Sequence, residues 1–77
     1  MGMQIDQGAA EFPYEQIAAH LRARIEAGEW PKGSKLPSLE DIVAETGVST
    51  MTARRAYKLL EDEDLVRIVP GRGTYLR

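Results

Sequence analysis

The run G-V-S-T-M-T-A-R-R-A-Y-K-L-L, from Gly47 to Leu60, reads as a tight turn followed by an amphipathic helix. Ser49 is placed to cap that helix, because its hydroxyl can accept from a free N–H of the first turn. Ala53, Ala56, Tyr57 and Leu60 fall at i, i+3, i+4 and i+7, which is one helix face. Thr50, Met51, Thr52, Arg54, Arg55 and Lys58 occupy the other. Small polar residues in a leading turn, with cations behind them, suit a nucleic-acid groove. The first turn can approach base edges while Arg and Lys reach phosphates. An ordinary solvated helix face carries cations at the same spacing, so the flanking sequence has to decide.

Upstream, Ser38 is an N-cap candidate for a second helix, with Asp41 three residues on as a capping-box partner. Leu39, Ile42 and Val43 form its apolar face, and Gly47 ends it after two and a half turns. Two helices joined by a short turn containing glycine make a helix-turn-helix unit, with Val48 tucked into the angle. Downstream, the acids Glu61, Asp62, Glu63 and Asp64 sit at the helix C-terminus, where the dipole disfavours negative charge. Asp64 is expected to take the left-handed position after the helix. Leu65 to Val69 is a β-branched and apolar strand signal, and Pro70-Gly71-Arg72-Gly73 is a turn. Thr74, Tyr75 and Leu76 suit a returning strand. The product is a hairpin whose tip presents Arg72 between two glycines.

The N-terminal half completes the pattern. Met1 to Phe12 shows neither helical nor strand period and reads as a flexible arm. Pro13 suits the first turn of a helix, over about 14–27. Tyr14, Ile17, Ala18, Leu21 and Ile25 form its apolar stripe, and Gly28 is its expected stop. His20 lies beside the stripe as a surface residue. Glu29 to Pro37 is a connector broken by Pro31 and Pro37 and anchored by Trp30 and Leu36. A short strand around Lys35 and Leu36 fits it.

Composition limits the alternatives. Seventy-seven residues make one small domain, and 43% hydrophobic with 29% charged residues is a globular balance. With no cysteine and one histidine, neither a disulfide framework nor a metal site is expected, and no cofactor motif is present. No apolar run is long enough to span a membrane, and the first residues do not form a secretory signal, so the expected location is cytoplasmic. No nucleophile–base set or paired carboxylates point to an enzyme. The net charge of −2 is unevenly spread. Residues 1–47 hold four Lys/Arg against eight Asp/Glu, and residues 48–77 hold six against four. The cations are thus local, and non-specific affinity for a polyanion is expected to be modest.

The order helix, short strand, helix, turn, helix, hairpin is a winged helix-turn-helix. It is mainly α with a small β-hairpin (α+β): three helices plus a two- or three-stranded wing. The chain resembles the N-terminal DNA-binding domain of GntR-type bacterial transcription regulators over about residues 13–76. The resemblance is carried by Tyr14 to Ala18, Gly28 to Pro31, Gly33 to Ser38, Gly47 to Ser49, Thr52 to Ala56 and Pro70 to Tyr75. It implies a helix near 50–63 in the major groove and a wing at 70–74 in the minor groove or on the backbone. Carried over by position, Thr52 and Arg54 are the groove readers, and Thr50 and Met51 stand beside them in the first turn of that helix as further candidate DNA-binding residues. Arg55, Lys58 and the wing residues Gly71, Arg72, Gly73 and Thr74 meet the backbone, and Lys35 and Ser38 touch phosphate. The implied partner is double-stranded DNA, as a palindromic operator read by a homodimer, and the implied role is repression. The family normally continues into an effector-binding domain. With the chain stopping at Arg77, no effector pocket is expected.

Two departures weaken this pattern. Leu39-Glu40 stands where the family usually has Glu-Arg, and Thr50 where it usually has Arg. An Arg bidentate to guanine contributes ~1–3 kcal/mol of discrimination, so the expectation is either a different operator, read for instance by Met51 against a thymine methyl, or weak DNA binding. Asp64 also replaces a usual glycine. Glu40, Thr50 and the acid cluster equally fit an alternative: a winged-helix protein–protein interaction module with weak or no DNA binding.

Overall fold

A computed structural model describes residues 3–77. Its elements run α1 (Pro13–Glu26), α2 (Leu39–Thr46), α3 (Thr50–Asp62), β1 (Val66–Val69) and β2 (Gly73–Leu76). The strands pair antiparallel, Val66 with Leu76 through Val69 with Gly73. The connector adds a single antiparallel bridge, Lys35 with Tyr75. Leu36 N–H donates to the Thr74 carbonyl at 2.8 Å and Leu76 N–H to that of Ser34 at 2.9 Å. The wing is therefore a two-stranded sheet with a one-bridge third member.

Local signals account for the element ends. Pro13 opens α1, and the Glu15 carboxylate accepts from the Phe12 N–H at 2.9 Å. At α2 both halves of the capping box form: Asp41 N–H donates to Ser38 Oγ, and Ser38 N–H to Asp41 Oδ2, each at 3.0 Å. Gly47, at φ 78°, closes α2 in the left-handed region that a side chain disfavours. Ser49 Oγ accepts from the Thr52 N–H and caps α3. At the wing tip, Arg72 N–H donates to the Val69 carbonyl at 3.0 Å. Pro70 and Gly71 (φ 73°) take the two central positions of a type II turn.

Ile17, Ala18 and Leu21 of α1 pack on Ala53, Ala56, Tyr57 and Leu60 of α3, all buried. Alanines at 53 and 56 allow the two helices to approach closely. Ile42 and Val48 close the helix-turn-helix angle; Leu39 and Val43 are only half-buried, so the face of α2 is narrower than its sequence implies. Val66 and Leu76 attach the wing to this core. Each fully buried Leu or Ile contributes roughly 1.5–3 kcal/mol. Tyr57 is buried as well, and its hydroxyl donates to the Pro37 carbonyl, so the ring fixes the connector onto α3.

The arm is docked where the structure describes it. Met3 is buried with the core and its N–H donates to the Glu45 carboxylate. Gln16 holds the segment through three bonds, accepting from the Asp6 N–H and donating to the carbonyls of Asp6 and Glu11. Period-based reading misses such a segment, because its single buried side chain has no periodicity. Met1 and Gly2 lie outside the described residues.

Candidate nucleic-acid interface

A groove runs between α3 and the wing, closed at one end by the start of α2. Its walls carry Lys35, Ser38, Glu40, Arg54, Lys58, Glu61 and the tip residues Gly71 to Thr74. Four cations thus converge on one concavity, against two carboxylates. Arg54 and Lys58 are one turn apart on α3 and both exposed. The wing tip leaves Arg72 exposed. Gly73 adopts φ 132°, and a Cβ there would meet Lys35 Cε at 2.8 Å. The glycine is therefore what lets the lysine stem lie across the wing.

The expected site residues divide into two groups. Lys35, Ser38, Arg54, Lys58, Gly71, Arg72, Gly73 and Thr74 come together in this groove. Thr74 lies at its floor, only 8% exposed, so its side chain presents little surface. Thr50, Met51, Thr52 and Arg55 lie outside the groove, on the leading turn and outer face of α3. Met51 is 63% exposed, and among the described residues only Phe12 leaves a large apolar side chain as open. Thr52 Oγ1 accepts from Ser49 Oγ at 3.1 Å, so its rotamer is held by the cap.

Two cations are less free than their spacing implies. Arg55 lays its guanidinium over the Tyr14 ring at 4.1 Å, spanning α3 and α1. Lys58 Nζ lies 3.2 Å from Asp62 Oδ1 and 3.5 Å from Glu61 Oε1. These carboxylates raise the Lys58 pKa, chiefly through the hydrogen bond with Asp62, so the ammonium stays charged. Both contacts are exposed and exchangeable, and a phosphate can replace them.

The acid run at the end of α3 has structural partners. Glu61 Oε2 accepts from the Ile68 N–H at 2.9 Å, and Glu63 takes a two-pronged bond from Arg22. Asp64 stands at φ 62°, the left-handed position expected of it. Sequence reading had no signal for the Glu61 and Glu63 contacts, because both partners lie on other elements. Among the described residues there is no cluster of His, Cys, Asp or Glu that would hold a metal ion. Among the described residues, no helix is long and apolar enough to cross a membrane.

This geometry belongs with the sequence comparisons. Residues 13–76 match the family model described as bacterial regulatory proteins, gntR family. The chain belongs to the gntR family. It is 44% identical over 63 residues to the uncharacterized HTH-type transcriptional regulator YdcR of Escherichia coli, covering 82% of this chain and 14% of that protein. It is 34% identical over 74 residues to the HTH-type transcriptional repressor YtrA of Bacillus subtilis, covering 96% of this chain and 57% of that protein. The chain thus spans less than two thirds of these gntR-family relatives. Among solved structures, YtrA from Sulfolobus acidocaldarius, a GntR-family transcription factor, superposes with a TM-score of 0.87 at 31% identity, covering 100% of this chain and 81% of that one. The AraR DNA-binding domain, solved with operator ORX1, also superposes at 0.87, with 27% identity over 96% of this chain and 94% of its own.

Proposed function

We propose that this chain is the sequence-specific DNA-binding module of a transcription regulator, a repressor that reads a palindromic operator as a dimer in the cytoplasm. The observation that supports it best is the groove in which Lys35, Arg54, Lys58 and Arg72 converge beside the capped first turn of α3. Helix α3 enters the major groove with Thr50, Met51, Thr52 and Arg54 toward base edges. The wing residues Gly71 to Thr74 lie on the minor groove or the backbone. Lys35, Ser38, Arg55 and Lys58 meet phosphates, Arg55 after leaving or tilting from Tyr14. The dimer is built from α1, the arm or the wing strands, and effector binding belongs to other parts of such a regulator. Catalysis has no place in this reading.

Glu40 and the exposed Met51 favour one competing reading, a protein-binding surface. Selection of bound duplexes from random DNA, repeated at rising salt, separates the two. Enrichment of a palindrome, with affinity falling steeply as salt rises, supports the regulator. Absence of enrichment at low salt overturns it in favour of a protein partner.

A further inference from the structure

Glu61 stands where the reading helix and the wing meet. Its Oε2 accepts from the Ile68 N–H at 2.9 Å, while Oε1 lies 3.5 Å from Lys58 Nζ. Ile68 faces Thr74 in the sheet register, but its N–H is directed at α3. Beyond it come Val69 and Pro70, which has no N–H, and then the tip. Among the described residues, Glu61 makes the one side-chain hydrogen bond between α3 and the wing backbone. On its other edge the wing is held by the connector, through Ser34 and Leu36. The base of the wing is therefore fixed by the packing of Val66 and Leu76, by the Leu65 N–H bond to the Leu60 carbonyl and by backbone bonds to the connector, while further along β1 toward the tip the tie to α3 is the Glu61 carboxylate.

We propose that Glu61 is a positioning residue that fixes the wing tip relative to α3, and so determines which base pairs the tip reaches once α3 lies in the major groove. This rests on the DNA-binding reading above. A charged acceptor suits the role, because its bond to a backbone N–H is stronger than a neutral one. The two oxygens also divide the work. When a phosphate draws Lys58 away, Oε1 loses its partner while Oε2 keeps the strand, so the tie survives binding.

The test compares the full chain with Glu61→Ala and Glu61→Gln on the selected operator, by hydroxyl-radical footprinting and by exchange of the Ile68 amide. In Glu61→Ala, protection beneath the wing is lost or displaced while protection beneath α3 remains, and affinity falls about tenfold. On a duplex truncated short of the wing, Glu61→Ala and wild type bind alike. Glu61→Gln, whose amide oxygen accepts the same N–H, keeps the wing footprint and stays within about threefold of wild type. The Ile68 amide exchanges faster in the alanine variant only. An unchanged wing footprint and unchanged Ile68 exchange in Glu61→Ala overturn the proposal. Equal loss of protection beneath α3 and wing overturns it too, because that marks general destabilisation. If wild type selects no operator, the DNA reading fails instead, and Ile68 exchange alone then decides whether Glu61 holds the wing.

Discussion

Arg22 of α1 grips Glu63, just past the last turn of α3, with Nε to Oε1 at 2.9 Å and Nη2 to Oε2 at 2.8 Å. Hydrogen bonding to Glu63 also raises the arginine pKa. The pair crosses between the two helices of the core at their far end from the reading turn. Both side chains are about one third exposed, 32% and 36%, so solvent screens the contact. Glu63→Ala is expected to lower stability by roughly 0.5–1 kcal/mol, measured by urea unfolding. The loss should shrink at high salt; a salt-independent loss would assign it to packing instead.

Asp64 carries the backbone strain of the turn into the wing. Its φ of 62° is a region that L-residues other than Gly, Asn and Asp rarely enter. Its carboxylate is 84% exposed and 3.6 Å from Arg77, a contact of little worth. Asp64→Gly should therefore raise stability by roughly 0.5–1 kcal/mol. A lower thermal midpoint than wild type would contradict the strain argument.

Among the described residues of the arm, Met3 is the one strongly buried, at 5% exposure. Met3→Ala should cost roughly 2 kcal/mol, read by thermal or urea unfolding. Gln4→Ala, on the exposed neighbour, should be silent. Equal stability of Met3→Ala and wild type would show that the arm does not belong to the folded unit in solution.

Tyr57 sets an alkaline limit on stability. Burial raises its pKa well above the ordinary value of 10.0. The unfolded chain then releases this proton first as pH rises. The stabilisation is complete below about pH 10 and is lost progressively above it. Tyr57→Phe loses the bond to the Pro37 carbonyl and is less stable at neutral pH. Between pH 9 and 11 its thermal midpoint should fall less steeply than that of wild type. Parallel curves would mean that Tyr57 does not govern the alkaline transition.

Arg54 and Lys58 stand one turn apart and should fail differently in DNA binding. Arg54→Ala is expected to weaken operator binding by ~1–3 kcal/mol and to relax the preference at one base position. Lys58→Ala should weaken all sequences alike and reduce the salt slope by about 1. Its effect is blunted because free Lys58 already pairs with Glu61 and Asp62. Gel shifts over a salt series, on selected and scrambled duplexes, would separate the two roles. Equal losses on both duplexes for Arg54→Ala would remove it from base reading.

Much of the fold follows from short-range chemistry. Ser38 with Asp41, Ser49, Gly47 and Pro70-Gly71 end or begin elements through bonds made within a few residues, so local order alone identifies them. The stripe of Ala53, Ala56, Tyr57 and Leu60 is legible for the same reason, since helical period alone decides which face it occupies. The order of these elements, with the glycine-tipped hairpin last, also carries the winged helix-turn-helix and the family. The candidate site was less legible. Which cations share a groove depends on how the wing folds back over α3, and that separates Arg54 and Lys58 from Arg55, which turns to Tyr14. The acids after Leu60 look unfavourable along the chain, where only the helix dipole is visible. They gain their reasons from Ile68, Arg22 and Lys58: for the first two, the partner is brought into range only when the strand and α1 pack against α3. The docking of Met3 is decided in the same way. One side chain in an aperiodic segment has no pattern of its own, and its burial depends on a space that other elements create.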